Sequence, residues 1–183
     1  METRSQRWRE RQALRPHDLT VIGPTACAVE VIEHPHRSPS QETTMSRTDG
    51  RAYARHLIDT AQHFLQSAGT DAGPMTTEQR YYWTAISIEL ALKAWLSLHG
   101  FTDDRLRRTV GHDLAIARNL ANNEGLAFPD AAGPVLALVH PFYMQGGFRR
   151  PNDVEWPAAL LAQTLPILTT FYGAISDTIA TTP

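Results

Sequence analysis

TTEQRYYWTAISIELALKAWLSLHG, residues 76–100, decides the fold. Thr76 and Gln79 have the spacing of a capping box and Gly100 is a natural stop, so the stretch reads as one helix of about 23 residues. At about 100° per residue, Tyr81, Ala85, Ile88, Leu92, Trp95 and Leu96 fall on one face. Trp83, Leu90, Ala94 and Leu98 cover much of the opposite face, so the helix is apolar on most sides and belongs in the middle of a domain. Its only fixed charges between Tyr81 and Leu98 are Glu89 and Lys93, on a strip flanked by Tyr82 and Ile86. Lys93 is the single lysine among 17 basic residues. Glutamate four residues before lysine is the favourable order for a helical ion pair. The expectation is a structural pair, Glu89 with Lys93, at the edge of the core, with the ammonium snorkelling to water.

Outward from this helix the pattern stays helical. Residues 51–68 place Ala54, Leu57, Ile58, Ala61, Phe64, Leu65 and Ala68 on one side, the spacing of an amphipathic helix closed by Ser67-Ala68-Gly69. Residues 103–110 read as a short arginine-rich turn or helix, and Asp113 is an N-cap for a helix through Asn122. Asp130 precedes a helix expected to end near Pro141, because proline lacks the N–H that the ladder needs. A last helix opens at Pro157 and carries only Asp177 as a charge. Its length raises a membrane span. Gln163, the threonines, Ser176, the internal Pro166 and the missing flanking basic cluster favour burial in the bundle or in a dimer interface instead. No strand pattern competes after residue 49. The fold class expected is all-α, an up-and-down helical bundle of four to five helices over residues 49–180.

Residues 1–48 mix arginine, proline, serine and threonine and are expected to be a disordered or dispensable N-terminal extension. Met45 opens MSRTDGRAYARHL, a natural beginning for the folded domain, so the first 44 residues read as an upstream start-codon extension or a tail. The first residues lack the apolar core of a secretory signal, and a cytoplasmic setting is expected. With 183 residues and a net charge of −2, the chain is long enough for one core and has no strong overall field toward nucleic acid or membrane. The lone cysteine, Cys27, rules out an internal disulfide or cysteine zinc site. The His and carboxylate residues show no convincing ligand spacing, so neither metal nor cofactor is expected.

The run from Glu89 through Trp95 to Gly100, then a basic linker, then Gly111-His112-Asp113-Leu114 and the helix to Gly125, resembles the HEPN domain family of helical prokaryotic proteins. The match covers residues 81–125, with looser agreement over 51–150, where Phe148-Arg149-Arg150-Pro151 is similar to an arginine-aromatic-proline motif near the family's final helix. The resemblance implies an RNA-related role. Many such proteins look like metal-independent ribonucleases of toxin–antitoxin, defence or RNA-processing systems, dimeric and paired with a nucleotidyltransferase or antitoxin partner. Their nuclease motif is an arginine, four to six residues, then a histidine. Arg107 and His112 meet it with four intervening residues, Arg105 and His112 with six. Histidine can take the 2′-hydroxyl proton or protonate the leaving oxygen, and arginine can hold the phosphate. The catalytic candidates are therefore Arg107 and His112, and the RNA-binding candidates are Arg105, Arg108, Arg149 and Arg150. Here the motif arginine is followed by Arg108, where the family usually has a polar residue such as Asn or Asp.

Three readings stay open. One is an RNA-binding or RNA-cleaving homodimer. A second is a non-catalytic protein- or nucleotide-binding module in which Glu89, Lys93 and His112 are structural and His112 bonds neighbouring backbone or Glu89. A third is a helical enzyme using Glu89 and His112 as acid and base.

Overall fold

Thr76 opens the central helix by a capping box: its backbone N–H donates to Gln79 Oε1 at 2.9 Å, and its Oγ1 accepts from the Gln79 N–H at 3.2 Å. The structure, a computed structural model, describes residues 47–70, 75–149 and 153–182. Among them are six α-helices: α1 (Arg47–Gly69), α2 (Thr77–Leu98), α3 (Asp103–Thr109), α4 (Leu114–Asn123), α5 (Gly133–Met144) and α6 (Ala158–Thr181). Two 3-10 turns, Asp130–Ala132 and Gly147–Arg149, bracket α5. No strand occurs among the described residues, so the fold is all-α. Six helices exceed the four to five expected, because the arginine-rich segment forms a full helix of its own, capped where Thr102 Oγ1 accepts from the Arg105 N–H. Of the expected extension, residues 1–46 lie outside the described residues, while 47 and 48 belong to α1.

α2 ends where Gly100 adopts φ +88°, letting the Phe101 N–H reach Leu96 O at 3.0 Å and the Gly100 N–H reach Ser97 O at 3.1 Å. This doubly bonded terminus satisfies carbonyls that the helix cannot pair internally. α2 packs against α1, α4, α5 and α6, the central place that its two apolar faces predict. Tyr81, Ala85, Ile88, Leu92 and Leu96 are fully buried, and Trp83, Leu90 and Leu98 on the far side are half-buried. On α1, the apolar stripe is buried apart from Phe64, which meets Trp83 edge-on at 5.7 Å.

The directions of the long helices follow from their end contacts. Arg80, in the first turn of α2, donates to Ala68 O in the last turn of α1 at 2.6 Å, so these two run antiparallel. Arg51, near the start of α1, donates to Ile179 O and Ala180 O at the end of α6, at 3.0 and 2.6 Å. α6 is thus antiparallel to α1. It runs with α2, to which it is tied by Tyr81 Oη donating to Pro157 O at 2.9 Å and by the buried Ser87 Oγ to Tyr172 Oη bond at 3.0 Å.

Two prolines behave differently from the sequence expectation. α5 runs through Pro141 to Met144, because the proline comes four residues from the end and forfeits only one ladder bond, on an exposed face. Pro157 is the N-cap of α6 rather than its first residue. α6 is long and apolar enough to cross a bilayer by length and composition, and a third of its most apolar window is buried. The buried face carries Leu161, Thr164, Leu168, Phe171, Tyr172, Ile175 and Ile179, and the outward one is mostly alanine and threonine.

Candidate functional site

The link between α3 and α4 is four residues long, and its geometry places a histidine. Gly111 takes φ +55°, which lets its N–H bond Leu106 O at 3.0 Å while the chain turns away from α3. Asp113 then caps α4, its carboxylate accepting from the Ile116 N–H at 2.9 Å. His112, held between these fixed points, lies over α2. Its Nδ1 is 3.0 Å from Glu89 Oε2, while its side chain remains 73% exposed.

Glu89 is the buried hub, with only 7% of its side chain exposed. Lys93 Nζ donates to Oε1 at 2.6 Å. His112 occupies Oε2, and Tyr143 of α5 lies within the electrostatic reach of the same carboxylate. A buried carboxylate requires such company, since desolvating an unpaired charge is costly. Burial first, and then the negative charge of Glu89, hold the Tyr143 hydroxyl in its neutral form, well above the ordinary tyrosine range. Lys93 departs from expectation: only 14% of its side chain is exposed, so it is folded back onto Glu89 rather than extended to water. The ion pair itself forms as expected.

Over this hub opens a cleft of about 280 Å³ lined by Tyr82, His112, Tyr143, Met144, Gly146 and Phe148. Tyr143 meets His112 edge-on at 5.7 Å. The Tyr82 ring lies 6.2 Å from that of Tyr143 and 5.2 Å from that of Phe148. Behind the cleft Phe148 stacks on Trp156 at 5.1 Å, and Trp156 rests on Tyr81 and Phe142. The aromatic wall is thus anchored to the core.

The arginine candidates divide. Arg107 and Arg108 both pair with Asp104 of their own helix, at 3.0 and 2.9 Å, with side chains 71% and 60% exposed. The Arg105 guanidinium lies 3.8 Å above the Phe101 ring. The partners recorded for His112, Glu89 and Tyr143, come from α2 and α5, so the Arg107–His112 motif is brought together by neither contact set. Arg149 closes the 3-10 turn next to the cleft residue Phe148, and Arg150 lies outside the described residues. His140, within α5, approaches Asp113 Oδ1 at 3.9 Å with its Nε2, on the capping carboxylate rather than in the cleft. Among the described residues no group of three His, Cys, Asp or Glu side chains is placed to hold a metal ion.

Five cleft residues, Tyr82, Tyr143, Met144, Gly146 and Phe148, were not candidates from sequence. A signal was available for one of them. Tyr82 stands seven residues before Glu89, two helical turns away on the same strip of α2.

In the neutral tautomer that donates Nδ1–H to Glu89, His112 has Nε2 free to accept a proton beside an aromatic recess. Such an arrangement can move a proton on a group seated in the cleft. No protein-family model, curated protein or solved structure matches the chain.

Proposed function

We propose that this is an HEPN-like, RNA-acting helical domain in which His112 is the general base of a metal-independent endoribonuclease. The observation that carries the reading is the Glu89–His112 contact at 3.0 Å at the mouth of an aromatic cleft. A carboxylate on Nδ1 fixes tautomer and ring orientation, which is what a catalytic imidazole needs. His112 Nε2 takes the proton of a 2′-hydroxyl, the freed oxygen attacks the adjacent phosphorus, and the 5′-oxygen leaves with a proton from a second donor. Arg107, or Arg105 by the longer spacing, would hold the phosphate once released from its present partner. Arg108, Arg149 and Arg150 would add backbone contacts. A homodimer sharing the cleft, a nucleotidyltransferase or antitoxin partner and a cytoplasmic setting belong to the same proposal.

The test is cleavage of a mixed-sequence single-stranded RNA in EDTA by the purified chain. His112→Ala is expected to abolish it, and Glu89→Gln to lower it by about 10²-fold or more, the usual scale for general acid–base groups. Retained cleavage by folded His112→Ala removes the assignment.

A second reading is favoured by the closure of the polar network. Both Glu89 oxygens are engaged and the two arginines are paired within α3. On this reading the domain is a non-catalytic binding module, and wild-type protein leaves RNA intact.

A further inference from the structure

The lining of the cleft says more about its occupant than about the reaction. None of its six residues is Asp, Glu, Lys or Arg. Lys93, the cation beneath it, is neutralised by Glu89 at 2.6 Å and mostly buried, so it is unavailable to a phosphate. What the recess offers is the rings of Tyr82, Tyr143 and Phe148, the thioether of Met144 and the edge of His112. Aromatic and thioether surface attracts flat, polarisable rings. The exposed His112 imidazole adds polar atoms to this largely apolar lining, the usual composition of a small-molecule pocket. At about 280 Å³ it lies just below the range of drug-sized ligand pockets, roughly 300–1,000 Å³, and suits one ring system rather than several. The wall is also pre-formed, because Phe148 is backed by Trp156, which in turn packs on Tyr81 of the core. Pre-formed aromatic platforms are how proteins seat unstacked bases of single strands.

We infer that the cleft is a nucleobase pocket: it captures one unpaired base through Tyr82, Phe148 and Tyr143, and recognises that base rather than a phosphate. The inference rests on the RNA reading above for its biological source, but not for its chemistry. A base docked there sets its own ribose at the cleft mouth, where His112 is exposed. Duplex RNA is excluded, since paired and stacked bases have no free face to offer.

Calorimetric titration of the full chain tests this with four probes: adenosine, ribose 5-phosphate, a single-stranded decanucleotide, and the same strand annealed to its complement. Adenosine and the single strand are expected to bind and to compete with each other, while ribose 5-phosphate and the duplex do not compete. Stacking is worth about 1–3 kcal/mol per base, so Tyr82→Leu and Phe148→Leu should each weaken adenosine by about 5-fold to 150-fold. Met144→Ala, at a position 47% exposed, leaves the core untouched and should weaken it severalfold. Binding of adenosine without the single strand would keep the pocket and assign it to a free nucleotide or nucleoside. Ribose 5-phosphate competing as well as adenosine, no binding of either base-bearing probe at millimolar concentration, or folded variants that bind like wild type would each overturn the inference. The two readings fail separately. If His112→Ala still cleaves RNA while Tyr82→Leu loses adenosine, the catalytic assignment falls and the pocket stands. If His112→Ala is inactive while the pocket variants bind normally, the pocket falls.

Discussion

Two groups of charged side chains lie close in sequence and in different media. Around Glu89, a carboxylate 7% exposed holds a lysine of α2 and a histidine of the α3–α4 turn, and its charge acts on a tyrosine of α5. Around Asp104, a carboxylate 59% exposed holds two arginines from a single short helix. The first group crosses elements around a carboxylate cut off from water, although His112 itself reaches solvent. The second is local and wet, and screening makes such pairs worth little. Charge count is similar in both, so the difference in consequence comes from burial and from sequence separation.

Removing the buried hub should have the largest effect. Glu89→Gln leaves Lys93 nearly buried without its counter-charge and is expected to cost about 3 kcal/mol, read from urea unfolding. The double change Glu89→Gln with Lys93→Met should cost less than either single change, since it removes the stranded charge. A strictly additive double mutant would show that the pair is not coupled. His112→Ala should cost less than about 1 kcal/mol, because the ring is mostly exposed, while removing the proposed RNA cleavage. A large stability loss with it would move His112 into the structural group.

On the wet side, Asp104→Asn should change stability by no more than about 0.5 kcal/mol, a difference that vanishes in molar salt. A further effect appears only in alkali. Tyr53 donates to Asp103 Oδ1 at 2.7 Å, and partial burial together with that carboxylate pushes its hydroxyl from 10.0 up to about 12. The folded state therefore prefers the neutral phenol. That contribution is whole below pH 10 and is lost as pH rises toward about 12. Stability measured across this window should fall less steeply in Tyr53→Phe than in wild type.

The parts legible in the sequence are those governed by local rules. The capping box at Thr76, the stop at Gly100, the Asp113 cap and the central placement of α2 follow from propensity and periodicity alone. The i, i+4 pair was legible for the same reason, being within one helix. Less was legible of Lys93's burial, because that depends on the tertiary packing around α2. The cleft was legible least. Tyr82 and Phe148 are 66 residues apart, and nothing in the spacing of PFYMQGGF announces that its rings will wall a recess above Glu89. Spacing does bring Arg107 near His112 in sequence, yet side-chain direction and the local pull of Asp104 decide where the guanidinium goes.

Arg51 ties the first turns of α1 to the end of α6. It gives its guanidinium to Ile179 O and Ala180 O, carbonyls 128 and 129 residues further on. The first described helix is therefore sealed by the last turn of the last one. Loop-closure entropy falls due before so distant a contact contributes anything. During synthesis α1 has to wait for α6 to clear the ribosome before its own flank is covered. Deleting residues 179–182 should thus expose the start of the domain as well as its end.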